Sequence, residues 1–291
     1  MTKVSQASRR RLRNIPLRWL IAVLLVLPYR LRVPLCGWVM AYVIAPIAGY
    51  DKRVRANLAL IMPDLPNSEV KRLTRDVPRN VGRTLIEIYS GAEFVARATA
   101  EPLKGEGLAA LDAAHAAGRP VILVTGHFGN YDASRAALIA RGFPVGALYR
   151  PMSDPYFNAH YVRAISQIGT PVFPRGRAGL ADMIRFLRGG GMLGLLMDQH
   201  ISAGADLTFM GHPALTALSA ADLALKYDAL LVPTYAVRRK GGLDFDIIIE
   251  PPIPHGTPEA MTQALNDSLD KLVRLHPEQW FWIHRRWKNA A

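Results

Sequence analysis

The stretch VILVTGHFGNYDAS, residues 121–134, decides how the chain is read. Val121 to Val124 are four consecutive apolar, mostly β-branched residues between Pro120 and Gly126, the pattern of a strand buried on both faces. Such strands belong to parallel sheets, whose faces are covered by helices. After Gly129 the text becomes NYDASRAALIAR, with Asn130 able to cap and Asp132 in the first turn, so a helix is predicted from about Asn130. His127 and Asp132 then fall on a strand-to-helix turn. In open α/β sheets, ligands bind outside the carboxyl ends of the strands, where this turn lies.

Outward from this unit the alternation continues. Strands are predicted at 121–125, 145–149, 171–174 and 192–197, with helices at 130–141, 155–168 and 178–188 between them. A helix at 214–227, strands at 230–237 and 243–249, and a helix from Pro258 to Leu275 follow. The last two strands, joined by RRKGGLD, read as an antiparallel hairpin. The fold class is therefore α/β, with a mixed, mostly parallel sheet flanked by helices. Upstream, NSEVKRLTRDVPRNVGRTLIEIYSGAEF (67–94) reads as one or two amphipathic helices interrupted at Pro78.

At 291 residues, half of them apolar, the chain can bury a full core. Its single cysteine, Cys36, allows no intrachain disulfide and no cysteine-based metal cluster. No H-E-x-x-H or compact histidine cluster is present, so no metal site is expected. G-x-S-x-G and G-x-x-x-x-G-K-[ST] are both missing, which argues against an α/β-hydrolase and a P-loop nucleotidase. GEGLAA (105–110) follows EPLK and not a strand, so it does not read as a dinucleotide site.

The net charge of +13 is unevenly placed: the first 50 residues carry eight Lys or Arg and no acid. They also hold two uncharged apolar runs, Trp19 to Tyr29 and Val33 to Tyr50, of 11 and 18 residues. The first is too short to span a bilayer, and Pro34, Gly37 and Pro46 weaken the second as one straight helix. A cleavable signal peptide fits the basic start, but no small-x-small site follows Leu27, and VPLCG puts Leu35 where a lipoprotein signal needs a small residue. Basic clusters at Arg9 to Arg18 and Lys52 to Arg55 would both stay cytoplasmic, which favours re-entrant or interfacial insertion over a single crossing. Residues 1–50 are thus read as a basic, apolar membrane-associated helical segment and 51–291 as the functional domain. A buried hairpin of the core is the alternative.

The chemistry of the turn follows from residue type. Asp132 would hold one imidazole nitrogen of His127 protonated and leave the other free to take a proton from an alcohol. A hydroxyl so activated can attack a thioester. The residues alone equally allow a turn-stabilising histidine and an acid that complements the helix dipole.

GHFGNYD (126–132), YRPMSDPYFN (149–158), GLLMDQH (194–200), FMGHPALTALSAADLALKYDALLVP (209–233) and HPEQWFWIHRRWK (276–288) occur in one order. Together they resemble the late acyltransferases of lipid A synthesis, the lauroyl/myristoyl transferase family. The resemblance runs from about Asn57 to Lys288, plus the basic apolar N-terminus. It implies transfer of a fatty acyl chain from acyl carrier protein, or from coenzyme A, to a hydroxyl of an anionic membrane glycolipid at the cytoplasmic leaflet of the inner membrane. It also implies catalysis at His127 and Asp132, without a cofactor or metal. Related members acylate mannosylated phosphoinositides, so the acceptor stays open. Family members often show a doubled aromatic before the glycine where this chain has TFMGHP, with Met210. A glycerolipid acyltransferase would share the His/Asp logic but expects FPEG where this chain reads FPRG.

Other residues join the candidate site. Arg150, just beyond the second strand, could stabilise an oxyanion or bind phosphate. Arg175 and Arg177 precede a helix N-terminus, a favourable phosphate position, though a solvated turn fits as well. Asp198 ends a strand on the same edge and, with Gln199, could shape the acceptor pocket, or could simply bond to loop amides. Trp280, Trp282, Trp287, Arg285, Arg286 and Lys288 suit a lipid headgroup interface, though half of the tryptophans fit a place in the core as well. The rival reading is a non-enzymatic protein that binds nucleic acid or an anionic surface. Without residues 1–50 the body carries only +5, modest for a nucleic-acid partner.

Overall fold

The computed structural model describes residues 6–288, with side chains from Ile15 onward except Pro16. Residues 1–5 and 289–291, at the ends of the two expected segments, lie outside the described residues. Of the basic cluster Arg9 to Arg18, only the side chain of Arg18 is described.

The chain starts with α1 (Gln6–Val26) and α2 (Tyr29–Val39), followed by one π-helical turn (Met40–Ile44) and the short α3 (Ala45–Ala48). Helices α4 (Tyr50–Ile61), α5 (Asn67–Ile88), α6 (Gly91–Ala98) and α7 (Leu108–Ala116) lead to the sheet. Then come β1 (Val121–Thr125), α8 (Tyr131–Ala140), β2 (Val145–Tyr149), α9 (Pro155–Ile168), β3 (Val172–Pro174), α10 (Arg177–Arg188) and β4 (Met192–Leu196). A hairpin of β5 (Ala205–Phe209) and β6 (His212–Thr216) precedes α11 (Ser219–Lys226), β7 (Leu230–Arg238), β8 (Phe245–Ile249) and α12 (Pro258–Leu275).

Six strands form one sheet in the order β3-β2-β4-β1-β7-β8, all parallel except β8, which runs antiparallel to β7. Alternate residues of β1 face opposite layers, as a period of two requires. Val121 and Leu123 pack with α8 and α9, while Ile122 and Val124 pack with α10, α11 and α12. A third apolar cluster joins α4 and α5 to the C-terminal tryptophans.

Two predicted features differ. Pro78 does not interrupt α5, which runs unbroken through it. One backbone hydrogen bond is lost there, but the helix is packed along much of its length. Among its contacts is a close crossing with α2, where a Cβ on Gly82 would lie 2.5 Å from the Cys36 carbonyl oxygen. The helix predicted at 214–227 begins only at Ser219, because residues 212–216 pair with β5 instead. The hairpin turns at Met210 and Gly211, both with positive φ, a conformation that the methionine alone does not advertise. Side chains of α12 hold it: Gln263 and Asn266 bond to the Thr208 backbone.

The N-terminal arm is built into the body on one side and bare on the other. Val33 is fully buried, and Arg32, 2 % exposed, donates to Ser90 and pairs with Glu93. Trp19, Val26, Trp38 and Ile47 are exposed. Tyr29–Ala48 forms a 20-residue helical stretch of mean hydropathy 1.6, long and apolar enough to cross a membrane by length and composition.

A buried polar network ties α5 to the turn after β1. Glu87, with no exposure, accepts from the Arg238 guanidinium at 2.5 and 2.7 Å and from Asn130 Nδ2 at 2.8 Å. Arg238 Nε donates to Asn80, whose amide reaches the Gly129 carbonyl. Gly129 itself has φ +53°, and a Cβ there would lie 1.9 Å from the Ala236 carbonyl oxygen. Removing one partner of a buried ion pair leaves an uncompensated charge. Glu87→Gln is therefore expected to cost about 3 kcal/mol or more, read as a lowered denaturation midpoint of the full chain in detergent.

Candidate active site

The turn that follows β1 carries His127, and the one that follows β4 carries Asp198. The two strands are adjacent and parallel, with Thr125 in register with Leu196, so both residues lie two positions beyond the same level. Sheet order thus brings together side chains 71 residues apart in sequence. His127 Nδ1 lies 2.7 Å from Asp198 Oδ1, and the His127 backbone N–H donates to Asp198 Oδ2 at 2.7 Å. Trp280 Nε1 donates to the same Oδ2 at 2.9 Å. Asp198 is only 3 % exposed, whereas the His127 side chain keeps 23 % of its surface open.

These contacts shift both titrations, each in a direction with a clear cause. Burial alone would raise the Asp198 pKa, but the imidazolium charge and hydrogen bonds from His127 and Trp280 overcome it and bring the carboxyl to about 2. For His127, burial opposes protonation, and the charge and hydrogen bond of Asp198 outweigh it, so its pKa is raised. With Asp198 ionised, neutral His127 carries its proton on Nδ1 and offers Nε2 as the acceptor.

His127 opens on a cleft of about 560 Å³. Its origin lies in the sheet. β2 pairs with β4 only over Val145 to Ala147, while β1 stays paired with β4 out to Leu196, so the carboxyl edge forks between β2 and β4. Apolar residues of the core strands and of α8 and α9 wall the cleft, among them Leu123, Leu138, Val145 and Ile165. Arg150, Arg175 and Gln199 stand along it with His127. Tyr131 and Phe281, two residues that sequence reasoning did not single out, place their rings 5.5 and 5.8 Å from that of His127.

Several expectations are corrected. The bond assigned to Asp132 is made by Asp198. Asp132 lies in the first turn of α8, where helical spacing gives it Arg135 three residues on, and the two form a buried ion pair at 2.8 Å. It still lines the cleft. Asp198, expected to shape an acceptor pocket or to bond loop amides, accepts from the backbone amide of His127 and is enclosed as the partner of its ring. Arg286 is fully buried and donates to the Leu215 carbonyl and Thr216 Oγ1, so it braces β6 and is not open to a headgroup. Burial pushes its pKa down to about 10. Trp280, Trp282 and Trp287 are all core residues, packed on one another, with Trp280 and Trp287 against Phe209, and do not form a surface belt. Arg177 and Arg285 are exposed and do not line the cleft. Among the described residues no three His, Cys, Asp or Glu side chains are grouped to hold a metal ion.

A carboxylate-held histidine lining a largely apolar cleft, on the carboxyl edge of a parallel sheet, is an arrangement able to activate a hydroxyl beside an apolar substrate. The chain belongs to the bacterial lipid A biosynthesis acyltransferase family, whose model matches residues 7–289. It is 25 % identical over 248 residues to the lipid A biosynthesis lauroyltransferase of Escherichia coli, covering 82 % of this chain and 79 % of that one. A phosphatidylinositol mannoside acyltransferase of Mycobacterium tuberculosis is 24 % identical over 245 residues, 82 % and 78 % of the two chains. A lipid A biosynthesis acyltransferase of Haemophilus influenzae is 22 % identical over 266 residues, 90 % and 83 %. The protein is an acyltransferase, which removes the non-enzymatic reading.

A base must be neutral to act, so kcat/KM is expected to rise with pH through an apparent pKa above the ordinary histidine value of about 6.5. Asp198→Asn should lower the plateau by about a hundredfold or more and move that limb to lower pH, because the raising charge is gone. Asp132→Asn should leave the limb in place. A limb that moves with Asp132 and not with Asp198 would return the role to Asp132.

Proposed function

We propose that the protein is a membrane-associated O-acyltransferase that moves a fatty acyl chain from an acyl thioester to a hydroxyl of a glycolipid, a lipid A precursor. The observation that carries the reading is His127 at the cleft mouth, held by Asp198 through Nδ1 with Nε2 left as base. The acceptor hydroxyl gives its proton to Nε2 as its oxygen attacks the thioester carbonyl, and Asp198 stabilises the imidazolium. Arg150 stabilises the oxyanion of the tetrahedral intermediate. Collapse breaks the carbon–sulfur bond, and the imidazolium returns the proton to the leaving thiolate. The chemistry calls on side chains and the two substrates, without a cofactor.

The apolar cleft suits the acyl chain, and Arg150 and Arg175 along it suit the phosphate-bearing arm of acyl carrier protein or coenzyme A. An acidic carrier protein would also meet Arg177, exposed at the start of α10. Attachment at the cytoplasmic face of the inner membrane is supported by the bare apolar side of α1 to α3 and by flanking cations such as Arg18, Lys52, Arg53 and Arg55. A mannosylated phosphoinositide acceptor would use the same steps.

His127→Ala is expected to abolish transfer while leaving fold and membrane binding intact. Turnover near normal would sink the mechanism. Mass spectrometry of lipid A and total lipids from a deletion strain should show one acyl chain missing from lipid A. Loss from a mannolipid instead would reassign the acceptor. Arg150→Lys keeps charge but not the planar fork, and should lower kcat by on the order of tenfold with little change in donor KM. A higher KM at unchanged kcat would make Arg150 a binding residue.

A further inference from the structure

A second pocket, of about 270 Å³, lies where the end of the N-terminal arm meets α4 and α5. It shares no lining residue with the active-site cleft. Tyr42 and Pro46 form its apolar wall, Asp51 and Arg55 come from α4, and Lys71 and Arg75 come from α5. The cations nearby divide into two kinds. Arg72 and Arg79 are neutralised by Glu69 and Asp76. Arg55, Lys71 and Arg75 have no carboxylate within ion-pair distance among the described residues, and all three are exposed. The Arg75 guanidinium stands 5.8 Å from the Tyr42 ring centre. Asp51 adds an independent feature: its Oδ1 is buried with no hydrogen-bond partner, an acceptor left without a donor.

Chemistry and surroundings select one occupant. Three unpaired cations against one carboxylate leave two excess positive charges, a demand for phosphate. The buried Asp51 oxygen demands a hydroxyl or another donor. Tyr42 and Pro46 are continuous with the bare apolar helix surface of Trp38, Val43 and Ile47, so a ligand with phosphate in the pocket can lay hydrocarbon along the arm. We propose that this pocket binds the headgroup of an anionic phospholipid that carries free hydroxyl groups, of the glycerol-headgroup type. Its phosphodiester bonds to Arg55, Lys71 and Arg75, and a headgroup hydroxyl donates to Asp51. An ethanolamine headgroup would satisfy Asp51 with its ammonium but brings no net negative charge to the excess cations. The proposal rests on the membrane attachment inferred above and adds a specific lipid to it, away from the chemistry.

The test uses the full-length protein and phosphatidylcholine vesicles with or without phosphatidylglycerol, read by flotation. Lys71→Gln combined with Arg75→Gln is compared with Lys240→Gln combined with Lys271→Gln, which removes the same charge from exposed positions elsewhere. The first pair is expected to lower affinity for phosphatidylglycerol vesicles by on the order of tenfold, the second pair far less. Transfer in detergent micelles should be unchanged in both. Calorimetric titration of the unmodified protein with a soluble short-chain phosphatidylglycerol should show binding that Asp51→Ala weakens. His127→Ala should lose transfer yet keep the lipid preference, so failure of the catalytic reading would show separately. Equal losses in the two pairs, no loss in either, equal preference for phosphatidylethanolamine, or equally tight binding of inorganic phosphate would each overturn the proposal.

Discussion

The buried carboxylate of Asp198 is the group on which the geometry of the candidate active site depends. It accepts from the backbone and the ring of His127 and from the indole of Trp280, and so ties together the ends of two strands and the C-terminal segment. A carboxylate enclosed this deeply is tolerated only because its acceptor positions are filled and a partly positive ring faces it. The arrangement fixes the tautomer of the histidine. It also gives the tryptophan-rich C-terminus a reason to fold inward: the Trp280 indole donates to the carboxylate that holds His127 in place.

Beneath this pair lies a second constraint. The Glu87 and Arg238 ion pair, extended through Asn80 and Asn130, fixes the turn from Gly126 to Asn130 from below. Asn130 serves both sides, capping α8 through Asp132 N and donating to Glu87. Tyr29 of α2 also reaches Glu87, so the N-terminal arm is connected to the turn that carries His127 through α5. The arm is therefore not a detachable anchor: it contributes Val33 and Arg32 to the buried interior while presenting its other side outward.

Part of this was legible in the sequence. The run 121–125 and its alternation with helices follow from local periodicity, and β1, β2, α9 and α12 fall where that periodicity puts them. The cap at Asn130 was readable from residue type, as was the position of His127 just beyond the strand end. The hairpin from Ala205 to Thr216 was not, because its strands are short, one contains Pro213, and its turn puts a methionine at positive φ.

Which carboxylate serves His127 was decided by tertiary structure. Spacing along the chain favours Asp132, five residues away. The sheet order instead places β4 beside β1 and delivers Asp198 at hydrogen-bond distance, while the pitch of α8 commits Asp132 to Arg135. In the same way composition makes Arg286 and the three tryptophans look like a surface motif, and only packing shows them buried. The sequence by itself determined the local elements and the titratable histidine at the strand end, because these depend on periodicity and side-chain chemistry. The partner of that histidine, the forked cleft and the fate of each cation depend on which strands become neighbours, a long-range outcome that local pattern does not encode.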